Sequence, residues 1–463
     1  MALLVASEIP VETWGTMMGI DIHSLFFEEM EEDQFEHNGV RIDERANGRV
    51  LFAHAVLGDM VKDPRVHSFT VYGGVKGELP AGIIRQPITN VSVRNGGLEV
   101  WFEPARHYWW KPTLIRRALG GSFPIVTMMH AVGYADQVGS DLACMAIAPS
   151  PADTVIAPSL AAARSFTDRL HSLFDACRAT PTLPRVVVVP YGVDEATLRH
   201  LPRDEARRWL AWDVQPVAVF IGRVSSADKG DFRSLVQAVA EVKRRGVQLK
   251  LCVAGVGTEE DVSDILRLST EAGLTDVDVR RNVTEEYKAA LMSGADVFVS
   301  PSNTISESFG LTVVEAMFHA APIVCSAWSG YRELINHGTE GWLVPLHWQR
   351  TFAVRDEVAF VSGVGPLDEV KARMDVRALA DCIEEAVVFR EEAVRRAHSA
   401  QVKARREFTL TRCITGIVDV MLDSVARAAG VEKDLVPRWA PNVLGAFQQY
   451  AAPGRAFPQC RTM

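Results

Sequence analysis

In the second half of the chain, short apolar runs rich in β-branched residues alternate with longer stretches whose apolar positions recur every three or four residues. VAVFIG (217–222) reads as a buried strand, and GDFRSLVQAVAEVKRR (230–245) as a helix with one apolar face. LKLCVAG (249–255) predicts the next strand, and a polar helix follows over about 258–272. DVDVRR (276–281), ADVFVSPS (295–302) and APIVCSA (321–327) predict further strands with helices between them. Strand, helix, strand at this spacing predicts a parallel sheet covered on both faces.

The first half repeats the theme less cleanly. MALLVAS, VHSFTVYG, LEVWFE, FPIVTMMHA, DTVIAPS and RVVVVPYG are strand candidates, with helices expected at about 47–61, 109–120 and 159–176. The expected architecture is α/β, two doubly wound parallel-sheet halves facing each other across a cleft. Ligands of such sheets bind beyond the carboxyl ends of the strands. The expected division is 1–200, 201–410 and a C-terminal helix and tail over 411–463 that returns to the first half. Residues 346–375 and 430–463 break the strand–helix rhythm, and there is no internal repeat.

A chain of 463 residues suits two domains. A net charge of −9 argues against general nucleic-acid binding. Acid crowds the start, where Glu28, Glu29, Glu31, Glu32, Asp33 and Glu36 precede the first cation, Arg41. Seven cysteines with no CxxC spacing fit a reducing compartment. The opening MALLVASEIP is too short an apolar run for a signal peptide, and no run of about 18 apolar residues exists to span a membrane. The expected location is the cytoplasm, with contact at the inner membrane face left open.

Chemistry concentrates in SPSNTISESFGLTVVEAM, where Glu307 and Glu315 flank Phe309, Gly310 and Leu311. A helix starting at Phe309 or Gly310 presents unbonded N–H groups to an anion, and a glycine there admits a phosphate close to the backbone. Glu315, inside the helix, suits a vicinal diol such as ribose. Glu307, outside it, suits sugar hydroxyls beyond the phosphates. Two glutamates alone read as ordinary surface carboxylates. GRVSSADKG (222–230) changes the weight, because Arg223 and Lys229 flank a loop at a strand's carboxyl end and can neutralise a diphosphate. Asp276 and Asp278 mimic a metal-binding Asp-x-Asp, but their place at a strand entrance reads as a turn. HYWWKPTLIRRALGG (107–121) joins two tryptophans to Lys111, Arg116 and Arg117; a packing helix is the plainer reading, a membrane or acceptor surface the other.

ESFGLTVVEAM, GRVSSADKG, VVVPYGVD and ADVFVSPS together resemble the retaining GT-B glycosyltransferases of family 4, strongly over 185–345 and loosely before it. The resemblance implies a metal-independent transfer from a nucleotide-diphosphate sugar, such as a UDP- or GDP-sugar, to an unidentified glycan, lipid or small-molecule acceptor, with no cofactor. It places Glu307 on the donor sugar, Glu315 on the ribose, and Arg223 and Lys229 on the diphosphate. It adds Val283 and the backbone of Phe309, Gly310, Leu311 and Thr312 to the donor site. The family's glycine loop after the first strand is represented here by Gly15 alone. His130, at the end of a strand and expected to point its side chain into the cleft, matches a catalytic or acceptor-binding histidine; a lone histidine reads equally as a satisfied core residue. A phosphorylase, an epimerase and a non-catalytic sugar-nucleotide-binding subunit remain alternatives.

Overall fold

The computed structural model describes residues 4–5, 19–24, 36–37, 40–41, 48–73, 79–92, 98–104, 110–132, 150–177, 183–225, 229–304, 307–347 and 372–430. Two parallel sheets organise them. The first contains β1 (Leu4–Val5), β2 (Ile20–Ser24), β3 (Val66–Tyr72), β4 (Ile83–Gln86), β5 (Glu99–Glu103), β6 (Ile125–Met128), β7 (Thr154–Ala157) and β8 (Arg185–Val188). Their order is β1-β8-β7-β6-β5-β2-β3-β4. The second contains β9 (Val217–Ile221), β10 (Lys250–Gly255), β11 (Val277–Arg281), β12 (Val297–Ser300), β13 (Ile323–Ser326) and β14 (Trp342–Val344), ordered β11-β10-β9-β12-β13-β14. β9, β12 and β13 are buried along their whole length, as central strands between two helical layers must be.

β2 and β4 are absent from the hydrophobic reading of the sequence. In IDIHS, only alternate residues are apolar: Ile20 and Ile22 are fully buried, while Asp21 and His23 face the other side. β2 nevertheless lies inside the sheet, between β3 and β5. β1, the strand that precedes Gly15, lies at the edge beside β8. The glycine therefore precedes the interior strand β2 instead of following it. Gly15 itself is outside the described residues.

Helices cover the sheets. In the first half these are α1 (Gly48–Met60), α2 (Trp110–Leu119) and α3 (Leu160–Cys177). In the second they are α4 (Arg203–Trp209), α5 (Phe232–Arg244), α6 (Glu259–Glu271), α7 (Glu285–Gly294), α8 (Leu311–Phe318), the single turn α9 (Tyr331–Leu334), α10 (Val376–Val388) and α11 (Arg390–Glu407). Side-chain oxygens of Asp231, Thr258, Thr284 and Asp375 cap four of these starts by accepting N–H bonds.

The chain then crosses back. Phe408 O accepts from Val193 N at 2.9 Å, and Leu410 N donates to Val193 O at 3.0 Å, so the outward and return passages run side by side. α12 (Leu410–Ala429) packs on α1 and on β5, β6 and β7 of the first half. Ser424 meets Thr154 at 2.9 Å, Asp419 pairs with Arg65 at 2.6 Å, and Asp423 pairs with Arg185. One apolar cluster runs through the junction and includes Phe52, Tyr191, Phe309 and Phe408.

α2 is a packing helix. Arg116 is 2 % exposed and its guanidinium grips Asp153 at 2.6 and 2.8 Å, removing one cation from any surface role. No helix among the described residues is long and apolar enough to cross a membrane.

Candidate functional site

Three loops meet at the carboxyl ends of β9, β10 and β12. Gly255, at the end of β10, has φ +143°, and a Cβ there would stand 1.7 Å from Gly222 O. Only glycine lets the β9 and β10 loops pass this closely. Arg223 is exposed just beyond β9, and Lys229 lies across the same loop. Lys229 Nζ donates to Glu307 Oε2 at 2.7 Å.

Glu307 is only 8 % exposed. Burial opposes its ionisation, but Lys229 outweighs that. With help from Phe309 N–H and the Tyr331 hydroxyl, it holds the carboxyl below the usual glutamate value. Phe309 N lies 3.4 Å from Glu307 Oε1, and Tyr331 Oη lies 3.3 Å from Oε2. Ser300 Oγ holds Tyr331 Oη from the other side at 2.8 Å. Burial raises the Tyr331 phenol well above its ordinary value, so it stays protonated and able to donate.

Gly310 then turns the chain into α8 with φ +110°; a Cβ would stand 2.3 Å from the Tyr331 ring. The first N–H groups of a helix have no partner within it, which leaves those of Leu311 and Thr312 directed outward beside Glu307. The side chain of Phe309 is buried in the junction, 5.3 Å from the Tyr191 ring and 6.0 Å from the Phe408 ring. Its offering to a ligand is therefore backbone.

Glu315 sits one turn into α8 and pairs with Lys288 of α7, whose Nζ is 2.8 Å from its carboxylate oxygens. Burial alone would lower the Lys288 ammonium, yet Glu315 and Glu285 raise it above the ordinary lysine value. Lys288 carries no sequence signal, since its partner lies a helix and a strand away. Val283, half-buried after β11, precedes the Thr284 cap of α7. Asp278 lies on β11 and Asp276 immediately precedes it; Asp278 pairs with Arg280 at 2.7 Å and Asp276 accepts from Gln215 at 2.5 Å. No cluster of three metal-binding side chains exists among the described residues.

His130 lies just beyond β6, where the first half meets the second. Its carbonyl accepts from Ser308 Oγ at 2.6 Å. Its ring is turned back into its own half: Nε2 lies 2.6 Å from Pro104 O and Nδ1 lies 2.9 Å from Tyr191 Oη. A carbonyl only accepts, so Nε2 carries the proton. Both ring nitrogens thus have protein partners, and it is the backbone of His130 that meets the loop next to Glu307.

Ser308 and Glu333, which the sequence did not single out, complete the contact between halves. Ser159 Oγ donates to Ser308 O at 2.7 Å. Glu333 of α9 accepts from Leu160 N and Ala161 N at 2.9 Å each, placing a carboxylate on the first turn of α3.

Two parallel-sheet domains facing across such a loop cluster define the GT-B fold. Solved structures carry the same fold along most of this chain. Sucrose-phosphate synthase from Thermosynechococcus elongatus matches with a TM-score of 0.56 at 17% identity, covering 86% of this chain and 97% of its own. HepE of Anabaena, solved in complex with UDP, matches with a TM-score of 0.58 at 16% identity, covering 86% and 98%. Residues 215–355 match the family described as Glycosyl transferases group 1. An alpha-D-kanosaminyltransferase of Streptomyces kanamyceticus is 28% identical over 242 residues, 50% of this chain and 60% of the relative. A D-inositol 3-phosphate glycosyltransferase of Kineococcus radiotolerans is 31% identical over 268 residues, 50% of this chain and 56% of the relative. The matched regions thus span little more than half of these relatives' length.

Proposed function

We propose that the protein is a retaining, metal-independent glycosyltransferase that moves a sugar from a nucleoside-diphosphate sugar to an acceptor hydroxyl. One observation carries the proposal: the ion pair Lys229–Glu307 stands beside the glycine-led start of α8, and Glu315 follows on the same helix. A cation, a helix start and two carboxylates are thereby ordered as diphosphate, sugar and ribose require. The named activities of the relatives and the UDP bound in HepE support the same class of donor.

In the proposed reaction the acceptor oxygen bonds to the anomeric carbon as the bond to the diphosphate oxygen breaks. The acceptor proton passes to the departing phosphate on the same face. Lys229, Arg223 and the N–H groups at the start of α8 stabilise the charge that grows on the diphosphate. Glu307 steadies the sugar, and Lys229 is held in place by Glu307 until the donor arrives. The acceptor enters from the first half, near His130. Its identity is not specified by these residues, and the relatives differ among themselves in what they are named for.

The test is release of nucleoside diphosphate from a panel of sugar nucleotides, with cell extract as acceptor and with EDTA present. Turnover of one donor that persists in chelator and falls at least about 100-fold in Lys229→Met is the expected result. Turnover abolished by EDTA removes the metal-independent reading. Tight binding of a sugar nucleotide without turnover under any acceptor favours the non-catalytic subunit instead.

A further inference from the structure

Away from the cleft, at the amino ends of β12 and β13, lies a cavity of about 200 Å³. That is below the roughly 300–1,000 Å³ of pockets for drug-sized ligands and suits a small ion or a fragment of a larger molecule. Its wall includes Arg203, Arg390, His200, His319 and Ser293.

The charge around it does not balance. Asp296 is the shared carboxylate: Arg203 bonds it at 2.5 Å, Arg207 at 2.9 Å, and Arg390 stands 3.8 Å away while donating to Asp296 O at 3.3 Å. Three guanidiniums on one carboxylate leave two positive charges uncompensated within this group. Beyond it, Lys288 is already matched by Glu315, and Arg199 by Glu286 at 2.9 Å. Burial, opposed by Asp296 but reinforced by Arg390 and Arg207, lowers the affinity of Arg203 for its proton.

The histidines add to the same imbalance. The His200 and His319 rings stand 4.6 Å apart between centroids, and His319 Nδ1 lies 3.3 Å from Ser293 Oγ. Burial, then His200 and Lys288, push His319 down to about 3, although its place at the carboxyl end of α8 would favour a cation. Burial is the chief reason the imidazole stays neutral, with His200 and Lys288 adding to it. An anion in the cavity offsets the charge part of that obstacle and favours a protonated His319, which then donates.

We infer that this cavity is a second binding site, for a small oxyanion: a free inorganic dianion or the phosphate group of a metabolite. Arg390 and Arg203 supply charged donors, Ser293 a hydroxyl, and His319 takes up a proton as the anion enters.

Sulfate, doubly charged throughout the range used, is the first probe, titrated calorimetrically into the full chain at pH about 8 and about 6; glucose 6-phosphate and inorganic phosphate follow at one pH to tell a phosphate ester from the free ion. One saturable site is expected, tighter at the lower pH. Arg390→Gln should weaken it at least about tenfold, as loss of a charged donor does. Arg390→Lys should recover part of that loss, and His319→Gln should flatten the pH response. Lys229→Ala removes a cation of the donor cleft and should leave sulfate affinity within about twofold. No saturable binding, binding lost in Lys229→Ala but kept in Arg390→Gln, or an affinity that does not rise on acidification overturns the assignment. Should Arg390→Gln unfold, the Lys229→Ala and His319→Gln arms still decide it.

Discussion

Glu307 is a charged carboxylate in a place where burial favours the neutral acid, and its ionisation depends on Lys229. The consequence for stability has a definite sign. Its folded value lies below the unfolded 4.5, so its contribution is full above about pH 5 and is lost as pH falls through the folded value. Urea unfolding of wild type and Glu307→Gln at pH about 7 and about 4 should therefore show the wild type losing more stability on acidification than the variant. Equal losses would show that Glu307 has no depressed value. Glu315→Ala should cost about 1–3 kcal/mol in binding free nucleoside diphosphate, through lost hydrogen bonds to a ribose diol. Calorimetry reads this directly, and unchanged affinity removes the ribose role. Both glutamates could be named from sequence because the residues between them announce a helix start. Lys288 and Tyr331 could not: what joins them to these carboxylates is the folding of β12, β13 and three helices into one edge.

At the scale of elements, the turn into α8 is the demanding one. Gly310→Ala meets both the positive φ and the Tyr331 ring, which Ser300 and Glu307 hold in place. The left-handed conformation alone costs a β-carbon about 1–2 kcal/mol, and the clash adds to it. The variant should melt lower and bind nucleoside diphosphate more weakly; a melting temperature and affinity equal to wild type would mean that the turn relaxes freely. The central strands of the second half, β9, β10, β12 and β13, were plain in the sequence because uniform apolar runs suit strands buried on both faces, whereas β14 went unread. The same rule hid β2, an interior strand whose Asp21 and His23 alternate with isoleucines. His23 stacks with Tyr72 and Trp101 on that second face, so the polar positions are packed as well, by partners that no local window contains. β4 was hidden for a simpler reason: IIRQ is short and lies at the sheet edge.

For the whole molecule, the polar contacts between halves among the described residues include Ser159 with Ser308, Ser308 with His130, and Glu333 with the start of α3, beside the apolar junction of Tyr191 and Phe309. Glu333→Ala removes a carboxylate from a helix start and should cost about 0.5–2 kcal/mol of that contact. Turnover should fall while affinity for free nucleoside diphosphate holds, because in the proposed reading the nucleotide rests mainly on the second half. The same split is expected of His130→Ala, whose ring braces Pro104 and Tyr191 behind the contact. A fall in nucleotide affinity matching the fall in turnover would mean that neither residue acts through the meeting of the halves.

The return of α12 to the first half bears on how the chain comes off the ribosome. β7 and β8 are synthesised early, but Ser424, Asp423 and Arg427, which bond Thr154 and Arg185, emerge only after the whole second half. At about 5–20 residues per second, that interval is on the order of 10–40 s. During it the second half can close around a continuous stretch of chain, while the first displays the apolar surface that Ile417, Val418 and Met421 later cover. The half made first is thus the half finished last, and nascent chains halted before residue 410 should yield to protease in their leading half while the trailing half resists.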